Sequence, residues 1–99
     1  MIDPLTYLHA QEVGCVACRR HGFVGVPSEM NHPTEHGRRL GDDKWYPLCR
    51  HHHQGDVPGL GPSLAHGRKP FEDRYGTEEE LLAWFHELLA DHRRKLRGD

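Results

Sequence analysis

The sequence has no long apolar run. Its apolar residues come in short runs, such as those at Leu81-Leu82 and Leu88-Leu89, so no segment can cross a bilayer as a helix. It has no excess of basic charge: the formal net charge of −2 argues against a coat for nucleic acid. It has only 35% apolar residues, which allow a modest core. It lacks the even cysteine count of a disulfide framework, having three. Residues Met1 to Thr6 carry no basic start and no apolar stretch, so a secretory leader is not expected and a cytoplasmic protein is.

What is abundant is histidine, with ten residues, and glycine and proline, with 11 and 7. Ninety-nine residues make one domain, expected to span 1–99. In a chain this small and polar, three cysteines and ten histidines point to zinc in a reducing compartment. Cys15-Val16-Ala17-Cys18 can grip one ion from a tight turn. A redox dithiol would need the strand and helix of a thioredoxin-like unit, and no parallel α/β pattern surrounds it. Cys49-x-x-His52 repeats the spacing, so Cys15, Cys18, Cys49 and His52 are expected to close a tetrahedral structural zinc site.

The stretch Cys49-Arg50-His51-His52-His53 then holds more ligands than one ion needs. Successive side chains on a helix diverge by roughly 100°. If His52 turns to the zinc, His53 points elsewhere and is available to a second ion, and His51 is expected to be exposed or to support its neighbours. His32, at the end of a presumed strand before Pro33, lies between the two halves of the zinc site. Folding around zinc brings it near Cys49 to His53, where a histidine can take a proton from water.

The coarse reading of the chain is a helix from Asp3-Pro4 to Gly14 with Leu5, Leu8 and Val13 inward. A turn with a short strand or hairpin is expected over Cys15 to Val26, and an extended piece over Ser28 to His32. A polar loop follows over Glu35 to Lys44, then a second strand over Lys44 to Leu48. A helical turn is expected over Cys49 to Gln54, and a loop over Gly55 to Pro70. Thr77 and Glu80 form a capping box that opens a helix of about 77–97. Leu81, Leu82, Phe85, Leu88, Leu89, His92 and Leu96 lie along its apolar face.

The order of these parts resembles the HNH endonuclease family. There a Cys-x-x-Cys precedes a strand ending in Asp-His or His-His, and a second strand leads into Leu-Cys-x-x-Cys-His. Here Asn31-His32 stands at the first pair and Leu48 to His53 at the second motif, with His52 in place of the second cysteine. The run GPSLAHGRKPFEDRYGTEEELL (residues 61–82), Gly37-Arg38-Arg39-Leu40 and Tyr46-Pro47-Leu48-Cys49 are more specifically similar to phage Ref-type (recombination enhancement function) nucleases. The resemblance implies an α+β fold, a small zinc-stabilised ββα-metal domain with a C-terminal helix.

It also implies a DNA phosphodiester hydrolase. His32 would be the general base. His53, Asn31 and His66 would be the ligands of one catalytic divalent cation, Mg²⁺ or another. Asn31 stands where the family has Asp or His, so that ligand carries no charge. Asp42 or Asp43 is expected to hold His32 by a hydrogen bond. Arg38, Arg39 and Lys69 are candidates for phosphate contacts. DNA is the expected partner and a RecA-type filament a further one, the latter from the resemblance alone. The alternative is a non-catalytic zinc-binding module that contacts DNA or a partner protein.

Overall fold

The structure is a computed structural model. It describes residues 3–35, 38–39, 44–55, 57 and 59–98, the backbone alone at 34, 35, 38 and 39. Helix α1 (Pro4–Val13) starts as its sequence predicts: Asp3 caps it, accepting from the Leu5 amide at 3.3 Å, and Pro4 fills the first helical position. Gly14 ends it at φ +80. A side chain at Gly14 would put its Cβ 2.5 Å from the Val26 amide nitrogen, so only glycine lets the 25–26 segment cross so closely. Cys15 donates its amide to Val26 there, which seats the first pair of cysteines against a return segment.

Where a strand or hairpin was expected over Cys15 to Val26, the chain forms a second short helix, α2 (Val16–Arg20). The cause is local: the Cys15 sulfur accepts from the Cys18 amide and acts as the N-cap, so the Cys-x-x-Cys turn continues into a helical turn. Strands β1 (Glu29–Asn31) and β4 (Tyr46–Leu48) pair antiparallel, with Glu29 opposite Leu48 and Asn31 opposite Tyr46. Between them, β2 (Thr34–Glu35) and β3 (Arg38–Arg39) form a small hairpin in the region read as loop.

Helix α3 (Arg50–Gln54) follows β4 directly, with Cys49 as its cap. Helix α4 (Arg68–Tyr75) begins where the sequence reading still expected loop. Pro70 falls in its first turn, where a missing N–H costs nothing. Helix α5 (Glu78–Leu96) has the capping box complete, Thr77 and Glu80 each satisfying the other's amide.

The core lies between these elements. Leu81, Phe85 and Leu89 of α5 meet Tyr46 and Leu48 of β4, Ala10 and Val13 of α1, and Val16 and Ala17 of α2. Leu82 and Leu88 are half-buried. Leu5, Leu8 and Leu96 are exposed, at 55%, 57% and 56%, against the inward faces expected for them. At that end of the pair, α1 and α5 are joined by polar groups instead: Arg93 donates to His9 at 3.1 Å and to Thr6 at 2.8 Å. Among the described residues no helix is long and apolar enough to cross a membrane.

Candidate metal centre and the cavity beside it

Two Cys-containing turns supply one centre. The thiols of Cys15 and Cys18 at the start of α2, and of Cys49 at the start of α3, converge on Nδ1 of His52. The ring nitrogen lies 3.6, 3.4 and 3.1 Å from the sulfurs of Cys15, Cys18 and Cys49, and the four ligand atoms all fall within 4.8 Å of one another. All four residues are buried and the cysteines are free.

Three observations fit this centre to a metal. Nε2 of His52 sits 3.0 Å from the carbonyl oxygen of Leu60, which can only accept, so the proton is on Nε2 and Nδ1 presents a lone pair to the thiols. The thiols also oppose one another. Hydrogen bonds from the Cys15 thiol and from the His52 backbone amide hold Cys49 down to about 3. Its hydrogen bond to Cys49, and burial, push Cys15 well above the usual thiol range. Burial, then the Cys49 charge, push Cys18 up to about 11. Without a cation only one of the three ionises readily, and a soft divalent ion removes that conflict.

Finally, the layer behind the ligands is built. Tyr75 Oη lies 3.0 Å from His52 Nε2 and 2.7 Å from His21 Nε2, and donates to the Leu60 carbonyl at 3.2 Å. Partners of this kind fix a ligating ring. Nothing in the sequence pattern marked Tyr75, His21 or Leu60, because they come from α4 and from two loops.

The other two histidines of the triplet have separate surroundings. His51 is buried and clamps the following loop, accepting from the Val57 amide at 2.9 Å and donating to the Gly61 carbonyl at 2.8 Å. His53 is partly exposed, and its Nδ1 lies 3.1 Å from Oε1 of Glu29 on β1. Its backbone is held at both ends, donating to the Cys49 carbonyl at 2.9 Å and accepting from the Ala65 amide at 3.2 Å.

That last bond brings the 63–66 loop onto α3. His66 is exposed and packs on Gly55, where a Cβ would stand 2.6 Å from its ring. Among the described residues, Cys15, Cys18, Cys49 and His52 form the one group of three or more His, Cys or carboxylate ligands within ligating distance. His53 and His66 are neighbours through the backbone of α3 and do not belong to such a group.

At the far end of β1, Asn31, His32, Leu64, Arg68 and Glu78 line a cavity of about 260 Å³. Its floor is a buried carboxylate. Glu78, 6% exposed at the first turn of α5, accepts from Asn31 Nδ2 at 2.8 Å and from Tyr46 Oη at 2.9 Å on one oxygen, and from Arg68 at 2.5 Å on the other. A carboxylate suits a helix N-terminus, and three donors satisfy it. Burial, then the charge of Glu78, push the Tyr46 phenol far up, so it stays a donor. Arg68 is also within 3.4 Å of Glu72.

Asn31 therefore spends its amide nitrogen on Glu78. The aspartates expected to hold His32, Asp42 and Asp43, lie outside the described residues, as do the side chains of Arg38 and Arg39. Lys69 is on the outer side of α4, 85% exposed and 3.4 Å from Asp73. Sequence reasoning missed Arg68 and Glu78 at the cavity. It also missed Glu29, for which a signal exists: it lies two residues before Asn31, on the same face of an extended strand.

A family model described as recombination enhancement, RecA-dependent nuclease matches residues 6–90. The chain belongs to that family. The match covers both cysteine turns, the cavity at the end of β1, α4 and most of α5. It therefore supports a nuclease linked to recombination, in a chain with a buried Cys₃His group able to hold a metal such as zinc. No curated protein matches this chain.

Proposed function

We propose that the chain is a metal-dependent DNA endonuclease of the HNH type, with β1, β4 and α3 as its ββα-metal unit. The observation that carries this reading is the division of α3. His52 faces a buried Cys₃ cluster, while His53, one position on, faces β1, the strand that leads to His32 and its cavity. The ion in the Cys₃His group is zinc, held for folding, since a closed four-ligand set leaves no position for substrate.

The second ion is a single divalent cation, Mg²⁺ or another, with His53 as its principal ligand and Asn31 or His66 as the supplementary one. When bound, it supplies positive charge beside the scissile phosphate and the leaving 3′ oxygen. His32 takes the proton from the attacking water, and the products carry 5′-phosphate and 3′-hydroxyl ends. Lys69, with Arg38 and Arg39, contacts the DNA backbone and positions it without reading sequence. The family description, a RecA-dependent nuclease, supports DNA as the substrate and a link to RecA.

Incubation of the purified protein with plasmid DNA and Mg²⁺, Mn²⁺ or Zn²⁺, with and without RecA, tests the reading. Nicking that falls in His32→Ala by about 10²–10⁴-fold is the expected result. Equal nicking by wild type and variant removes His32 from the role of base. A zinc-bound module without catalysis would show one tightly bound metal per chain and no second, exchangeable ion.

A further inference from the structure

Glu29 sits on β1 opposite Leu48, so its side chain reaches α3 just after the turn at Cys49. Its Oε1 receives two groups from that helix, His53 Nδ1 at 3.1 Å and Gln54 Nε2 at 3.1 Å. The side chains of His53 and Glu29 are 30% and 41% exposed, so the pair lies at a surface that a dissolved ion can reach. The backbone of His53 is fixed at both its N–H and its C=O. What remains free is the rotation of the ring and the choice of ring nitrogen that carries the proton.

An ionised carboxylate only accepts hydrogen bonds, so the contact places the proton on Nδ1 and leaves the lone pair on Nε2. The same device operates at His52 with the nitrogens exchanged: there a carbonyl fixes the proton on Nε2 and Nδ1 faces the ligand cluster. A histidine that binds a metal usually donates its other N–H to a carboxylate or carbonyl, which sets the tautomer and aims the ring.

We propose that Glu29 is a positioning residue for the exchangeable cation: through Nδ1 it orients His53 and presents Nε2 to a divalent ion. It does this across the β1–α3 gap and does not itself bind the ion. The inference rests on the reading of His53 as a cation ligand.

The test uses the full zinc-loaded chain and Mn²⁺ alone as the probe, titrated by electron paramagnetic resonance or calorimetry. The wild type is compared with Glu29→Ala, Glu29→Gln and His53→Ala. Circular dichroism and zinc content confirm that each variant is folded. The expected result is a second Mn²⁺ site lost in His53→Ala and weakened about 10- to 100-fold in Glu29→Ala. Glu29→Gln, whose amide oxygen still accepts from Nδ1–H, is expected to fall between.

Nitrogen-resolved NMR of the histidine rings adds a readout that needs no Mn²⁺: His53 is protonated on Nδ1 in the wild type and on Nε2 in Glu29→Ala. A second site that depends on His53 and is unchanged in Glu29→Ala overturns the role of Glu29 and leaves the cation reading standing. A His53→Ala protein that takes up Mn²⁺ like the wild type, or a wild type that takes up none, overturns the cation reading and with it this inference.

Discussion

The two sides of α3 make the comparison on which this molecule turns. One side carries His52 into a closed centre: four buried ligands, a ring nitrogen aimed by a backbone carbonyl, and Tyr75 behind it. The other side carries His53 toward a partly exposed carboxylate on β1. A five-residue helix thus separates a site that excludes solvent from one that admits it. The difference teaches that adjacent histidines become chemically distinct when the backbone turns about 100° between them and each meets a different acceptor.

The largest expected effect tests the closed side. Cys49→Ala, or removal of the metal by a chelator, should unfold the domain, because structural zinc contributes about 10 kcal/mol or more in units of this size. His53→Ala should keep the helical circular dichroism and lose nuclease activity. A folded Cys49→Ala protein beside an unfolded His53→Ala protein would invert the assignment of the two sides.

Next in size is Phe71→Ala. Phe71 is fully buried on α4 and packs its ring on Tyr75, whose hydroxyl lies beside His52. Truncation of a buried aromatic residue costs about 3–5 kcal/mol, read as a lower melting midpoint in the zinc-loaded protein. A smaller effect, about 1 kcal/mol, is expected of Tyr75→Phe, which removes only the hydroxyl beside His52. Competition with a zinc chelator should show faster metal loss in this variant, and an unchanged rate would mean that the hydroxyl does not support the ligand.

The smallest effect lies away from both sites. The backbone and side chain of Thr77 hold the Glu80 carboxyl below its ordinary value of 4.5. A carboxylate depressed in the folded state adds stability above its unfolded pKa, and that stability is lost as pH falls through the folded value. Glu80→Gln should therefore melt lower than the wild type near neutral pH, and the gap should close below pH 4.5. A gap that stays constant with pH would place the effect elsewhere than in the charge.

The ends of the chain were legible because their signals are local. Asp3 opens α1 and Thr77 with Glu80 opens α5, each through a side chain that satisfies an amide two or three residues away. The Cys-x-x-Cys and Cys-x-x-His spacings likewise give the contents of the centre, since two ligands three positions apart can face one ion. α4 was obscured by Gly67 and Pro70, whose breaking tendency is harmless at a helix start. Leu5 and Leu8 misled because a helical spacing states which residues share a face, and α5 meets the start of α1 through Arg93.

By itself, then, the sequence determined the ligand types, their spacing, the capped helices and the family to which the chain belongs. Only the tertiary structure decided what each histidine faces. Glu29, Tyr75, Leu60 and Glu78 come from separate elements of the chain and act through bonds of about 3 Å. A ring's tautomer and direction are set by whichever acceptor folding brings within that distance, and no spacing along the chain encodes it.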